Sequence, residues 1–299
     1  DGAPAARDLA RAGVRAAGQG SRRARRRRGH RGELVVVTGG GSGIGRATAL
    51  LFAERGADVV VADRDESTAE LTRVELAERG VRAGAYRVDV SSADEMAGFA
   101  KRVLAEHGVP DVVVNNAGIG MSGPFARTSL DDWQRIIDVN LWGVIHGCRV
   151  FSEPMVARGE GGRIVNLASA ASYLPTRMLP AYSTTKAAVL MLSECLRGEL
   201  AEHDIGVVAI CPGLVHTNIT STTRFVGEDD AEQDRRQRAS HAVYGRRNFT
   251  PERAARAIVR AVERNTALAP VTPEARVALV ASRLTPALLR AAARREVSI

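Results

Sequence analysis

The chain has 299 residues, 45% hydrophobic and 25% charged, ordinary globular usage that excludes whole-chain disorder, collagen and coiled coil. No stretch approaches the ~18 continuous apolar residues of a membrane span, and three widely spaced cysteines, Cys148, Cys195 and Cys211, argue against a disulfide scaffold or zinc ribbon and fit a reducing, cytoplasmic setting. The formal net charge is +8, and ten arginines within residues 1–32 against Asp1 and Asp8 account for all of it, so no nucleic-acid partner is expected for the remaining, neutral body.

Residues 1–32, rich in Ala, Gly and Arg, read as a disordered or weakly helical tail or linker without the apolar core of a signal peptide. Its arginines between Arg22 and Arg28 would suit anionic lipid or RNA, with a solvated linker as the plainer reading. From Glu33 strands and helices alternate. Leu34-Val35-Val36-Val37 predicts a buried strand, followed by an amphipathic helix over 43–55, a strand over 58–62, a helix over 66–79 and a short strand ending at Val88. A helix over 93–106 leads into the strand Asp111-Val112-Val113-Val114, then come a long helix over 131–157, a strand over 163–167, a helix over 180–203 and a strand over 205–211. Near-continuous Val/Ile runs between helices imply strands covered on both faces, hence an α/β fold with a doubly wound parallel sheet over 33–299. Residues 214–249 are polar, predict an irregular segment, and read as a substrate lid. A helix capped near Thr250-Pro251 runs to about 264. Residues 273–299 read as a C-terminal helical extension, two short amphipathic helices broken at Pro286. Leu279, Val280, Leu284, Leu288 and Leu289 form its apolar stripe and Arg283, Arg290, Arg294 and Arg295 its basic one. Packing on the domain or on a sister subunit is expected, with membrane contact as the other reading.

Four constellations carry chemistry. Thr38-Gly39-Gly40-Gly41-Ser42-Gly43-Ile44-Gly45 follows a buried strand and opens a helix. Glycines let the backbone turn closely around a pyrophosphate, and the helix N-terminus offers free N–H groups. No Gly-Lys-Ser/Thr ends the turn, which disfavours an ATP-type loop. Asp63 closes the second strand, 24 residues after Gly39. A carboxylate there accepts both ribose hydroxyls of an adenosine and repels a 2′-phosphate, which points to NAD, while Arg64 beside it leaves NADP open. Asp89-Val90 ends the third strand, where an adenine ring would lie, and Asn115-Asn116-Ala117-Gly118 ends the fourth, leaving room for a ligand. Tyr182 and Lys186 are spaced i, i+4 near a helix start and share a face. A free phenol, pKa about 10, is a poor base near neutrality, and a nearby cation lowers that pKa. Ser169 stands 13 residues upstream of the tyrosine. The six histidines are scattered, so no metal is expected.

With these motifs in this order, the sequence resembles a short-chain dehydrogenase/reductase of the branch carrying the Thr-Gly-x-x-x-Gly-x-Gly turn. Further matches are Asn140 within Val139-Asn140-Leu141-Trp142-Gly143, and Pro212-Gly213 with Val215 and Thr217. The resemblance implies a single Rossmann-like, three-layer α/β/α domain and a catalytic set of Asn140, Ser169, Tyr182 and Lys186. It implies NAD, or NADP, held by Thr38, Gly39, Ser42, Gly43, Ile44, Gly45, Asp63, Arg64, Asp89, Val90, Asn116, Ala117, Gly118, Tyr182, Lys186, Pro212, Gly213, Val215 and Thr217. The implied reaction is hydride exchange with a small-molecule secondary alcohol or ketone. The implied assembly is a homo-oligomer, dimer or tetramer, through helix faces near 131–157 and 181–203. Residues 250–299 also resemble reductase modules that actinobacterial chains fuse behind an epoxide-hydrolase-like domain. Phe125, Trp142, Tyr173, Leu174, Met178 and Leu179 suggest an apolar pocket for a lipid, steroid or polyketide-like substrate. The rival reading is a non-catalytic dinucleotide sensor or scaffold with an Arg-rich binding tail.

Overall fold

Valine runs that exclude water on both faces set the architecture of the computed structural model, which describes residues 29–247 and 249–294. The strands β1 (Leu34–Thr38), β2 (Asp58–Asp63), β3 (Ala83–Arg87), β4 (Val112–Asn115), β6 (Gly162–Leu167), β7 (Ile205–Cys211) and β9 (Leu268–Pro270) form one sheet in the order β3-β2-β1-β4-β6-β7-β9. Every pairing in it is parallel. One face is covered by α1 (Gly43–Glu54), α2 (Glu66–Ala77) and α9 (Pro251–Arg264), whose Phe52, Leu76 and Ile258 are fully buried. The other face is covered by α3 (Ala93–Glu106), α5 (Gly143–Arg158) and α6 (Pro180–Glu199), with Met96, Phe151 and Val189 inside. This is the doubly wound, three-layer fold that the strand–helix alternation predicts. Strand order reverses between β1 and β4, which opens a crevice at their carboxyl ends.

Several elements differ from expectation. The predicted long helix over 131–157 is three pieces: α4 (Leu130–Ile137), a π-helical turn (Asp138–Trp142) and α5. The wider turn carries Asn140, which is fully buried; such turns recur at functional sites. The segment 214–249 is not irregular. It holds α7 (Ile219–Thr222), β8 (Arg224–Phe225), paired in a second small sheet with β5 (Met121–Ser122), and the long helix α8 (Asp230–Arg247). α8 is polar all round, so it shows no apolar period; ion pairs such as Glu232–Arg236 at 2.7 Å support it instead. β9 escapes a sequence reading because three residues ending in proline make no apolar run. The third strand stops at Arg87, so Val88, Asp89 and Val90 lie in the turn beyond it.

Residues 29–32, expected to belong to the tail, pack on the domain. His30 is buried, its amide donates to Arg55 O at 3.1 Å, and its ring meets Phe52 edge-on at 4.9 Å. The rest of the tail lies outside the described residues. No helix among the described residues is long and apolar enough to cross a membrane. The C-terminal extension forms α10 (Pro273–Leu284) and α11 (Pro286–Ala292), broken at Pro286 as expected.

Candidate active site

The glycine turn sits at the strand-order reversal. Gly39 has φ of +62°, and a Cβ there would come within 2.8 Å of Ala117 Cα, while one at Gly45 would strike Gly39 O. Both positions therefore require glycine. Ser42 precedes α1 without a side-chain cap bond, so the helix N-terminus keeps donors for an anion. Thr38 Oγ1 accepts from the amides of Asn116 (3.1 Å) and Ala117 (3.3 Å), and Asn116 Nδ2 donates to Thr38 O and Gly39 O, each at 3.0 Å. These bonds lock the loops after β1 and β4 together. Ile44 packs into the core, and Gly43 abuts Thr217 from the loop after β7.

Asp63 closes β2 and accepts from Gly41 N at 2.9 Å and Asp65 N at 3.1 Å. Each carboxylate oxygen keeps a lone pair for a ribose hydroxyl. Arg64 is exposed. Partial burial would raise the Asp89 carboxyl, but hydrogen bonds from Ser91 and the charges of Arg64 and Arg87 hold it below its ordinary value. Val90 is buried, and its carbonyl meets His146 Nδ1 at 2.9 Å.

Tyr182 and Lys186 do share a face of α6: Lys186 Nζ lies 5.8 Å from the Tyr182 ring centroid. The ammonium is buried and donates to Leu167 O, at the end of β6, at 2.8 Å. Burial lowers its pKa to about 8. Asn140 Oδ1 accepts from Ile119 N at 2.8 Å, and its Nδ2 donates to Ile119 O at 3.0 Å. Gly118 lies between these groups; a Cβ there would sit 3.1 Å from Asn140 Oδ1 and 3.4 Å from Lys186 Nζ. Ser169, nearly buried past β6, accepts from Ala171 N at 3.1 Å and still has its hydroxyl proton to donate. Pro212 O accepts from Ala170 N at 2.8 Å, which ties the loop after β7 to the serine, and Val215 of the same loop is buried in the core. Cys211, close to Lys186, is pushed up to about 12 by burial and is a protonated, inert thiol.

The structure adds residues that the motifs do not name. Ser172 Oγ donates to Lys186 O at 2.8 Å and accepts from Ser169 N at 3.2 Å. Thr185 Oγ1 donates to Tyr182 O at 2.8 Å. Glu274, in the first turn of α10, accepts from Leu214 N at 3.0 Å, and Tyr173 Oη donates to Ala275 O at 2.9 Å. One helical turn thereby clasps two loops of the crevice. The small-polar spacing Ser169–Ser172 was a legible signal; Glu274 had none. Of the suggested pocket residues, Phe125 is exposed against Trp133, and Trp142 is half-exposed and stacked on His146. No cluster of three or more metal-ligating side chains occurs among the described residues.

A doubly wound sheet with a glycine turn at its strand-order reversal is the arrangement on which dinucleotides bind. The family model of short chain dehydrogenases matches residues 33–225. The chain is 48% identical over 272 residues to a probable oxidoreductase, EphD, of Mycobacterium tuberculosis, a match covering 90% of this chain and 46% of that one. It thus spans about half the length of that relative. It is 39% identical over 190 residues to 3beta-hydroxysteroid dehydrogenase 2 of Eggerthella lenta, covering 63% of this chain and 73% of that one. A short chain dehydrogenase/reductase from Burkholderia phymatum, solved in complex with NAD, superposes with a TM-score of 0.78 at 29% identity, over 90% of this chain and 99% of that one. The chain belongs to the short-chain dehydrogenase/reductase family, whose members use NAD(P).

Proposed function

We propose that this chain exchanges a hydride between NAD and a secondary alcohol or its ketone on an apolar, lipid- or steroid-like molecule. One observation carries the reading: a buried Lys186 ammonium 5.8 Å from the Tyr182 ring, with Asn140 and Gly118 beside it. The crevice suits the cofactor. Gly39, Gly43 and Gly45 with Thr38, Ser42 and Ile44 would hold its pyrophosphate, and Asp63, Arg64, Asp89 and Val90 its adenosine. Asn116, Ala117, Gly118, Tyr182, Lys186, Pro212, Gly213, Val215 and Thr217 would hold its nicotinamide half. When bound, NAD supplies the hydride acceptor.

In oxidation the substrate hydroxyl lies between Ser169 and Tyr182. The Ser169 Oγ–H donates to the oxygen as its charge develops. Tyr182, its phenolate favoured by Lys186, takes the hydroxyl proton as the carbon gives up its hydride; reduction reverses both transfers. Asn140 keeps a free lone pair on Oδ1 for a water that would pass the proton from Lys186 to solvent. Residues 214–249 would close over the substrate, with Gln233 and Gln237 of α8 anchored on Thr223 O at 2.7 and 3.1 Å. The hydroxysteroid relative supports an apolar substrate. The half-exposed Trp142 and exposed Met191 support assembly through the helix faces near 131–157 and 181–203. Three free cysteines, two of them buried, support a cytoplasmic setting. The 46% coverage of the longer relative supports the resemblance to a reductase module within a fused chain.

The test is a panel of secondary alcohols and ketones followed by absorbance of the reduced nicotinamide. Tyr182→Phe is expected to lower kcat by about 10²- to 10⁴-fold while NADH still binds by fluorescence titration. Turnover by that variant at the native rate overturns the assignment.

A further inference from the structure

Helices of a globular domain ordinarily turn their large apolar side chains inward. α10 does the reverse. Its inward face is Ala275 and Ala278, both buried, while Val277 (70%), Val280 (55%) and Leu284 (76%) stand exposed at spacings of three and four residues. α11 continues the pattern with Leu288 exposed at 67%. Arg276, Arg283 and Arg290 are exposed on the same two helices and Arg294 in the turn just beyond them, and among the described residues none of them meets a carboxylate in a salt bridge. Arg276 and Arg290 turn only to backbone carbonyls, Pro270 O and Pro286 O. The single acid of residues 273–294, Glu274, accepts from Leu214 N and belongs to the domain side.

We propose that this face of α10 and α11 docks on an anionic lipid surface, the valine and leucine side chains entering the acyl boundary and the arginines meeting headgroup phosphates. A helix with apolar residues on one face and unpaired arginines along it is the composition such surfaces bind. A second copy fits less well. A two-fold contact through this face would set the four arginines of one chain against those of the other with no acid to answer them. The tail adds nine more arginines within residues 1–28, and an amphipathic helix together with a polybasic segment supplies the two signals that stable membrane attachment needs. The inference does not depend on the redox reading.

The test is co-sedimentation of the full chain with vesicles of phosphatidylcholine alone and of phosphatidylcholine with phosphatidylglycerol. Binding is expected only to the second, falling with added salt. Val280→Asp with Leu284→Asp is expected to weaken it at least about tenfold. Arg276→Gln with Arg283→Gln is expected to weaken it about fivefold per arginine removed. Val280→Trp, made in the full chain, is expected to shift its emission to the blue on the anionic vesicles. Equal binding of all these variants would assign the attachment to the tail and overturn the proposal. Binding that ignores lipid charge, an unshifted indole, or variants that alter oligomeric state instead of vesicle binding would overturn it as well.

Discussion

Lys186 carries a charge where the fold does least to support one. A lysine lowered from 10.5 to about 8 by burial binds fewer protons folded than unfolded between those values, so the stability it withholds is regained as pH rises from 8 to 10.5. Below pH 8 both states are protonated and the penalty, on the order of 3 kcal/mol, stands in full. Lys186→Met is therefore expected to be more stable than the native chain in urea at pH 7. The gap should close toward pH 10.5, and turnover should be lost; a less stable variant at pH 7 would contradict this. Losing the bond to Leu167 O, worth about 1 kcal/mol, does not offset the gain. Asp63 is the second residue whose charge decides something. Removing its carboxylate leaves Arg64 in control, so Asp63→Ser is expected to raise kcat/KM for NADP relative to NAD at least about tenfold, read from paired cofactor titrations. Both residues were legible in the sequence because each belongs to a local pattern, a strand end or a one-turn spacing.

Elements were legible where their own composition specified them. The strands β1, β4 and β7 are rich in valine or isoleucine and buried throughout, and pattern alone finds them. α8 and β9 were missed because one is held by ion pairs and the other by its neighbour β7. The π turn at Asn140 was missed because it is a single turn inside a continuous helical stretch and contains no glycine or proline to mark it. The first turn of α10 shows what a missed contact can do: its Glu274 holds Leu214, in the loop that follows β7, and its Ala275 holds Tyr173. Glu274→Ala is expected to raise KM for the cofactor about tenfold with a smaller change in kcat, since a loop is released and no reacting group removed. Glu274→Gln, which keeps an acceptor oxygen, should restore most of the loss. A variant altered in kcat alone would refute this role.

At the scale of the whole molecule, the strand–helix alternation was enough to predict a doubly wound sheet, because parallel strands covered on both faces admit few other topologies. What the sequence could not show was how the C-terminal helix α10, beyond the matched family region, contacts the loops at the end of β6 and β7. There the deciding contacts, such as Leu214 with Glu274, join residues sixty apart in the chain.

Just ahead of β1 the chain is moored, not merely attached. His30 sits against Phe52 and the end of α1, and 2.6 Å from Glu33, while Arg55 pairs with Glu263 of α9 close by. The segment that enters β1 is therefore held by two outer helices, α1 and α9. A shortened version starting at Glu33 would lose that mooring and leave the edge of Phe52 open to water.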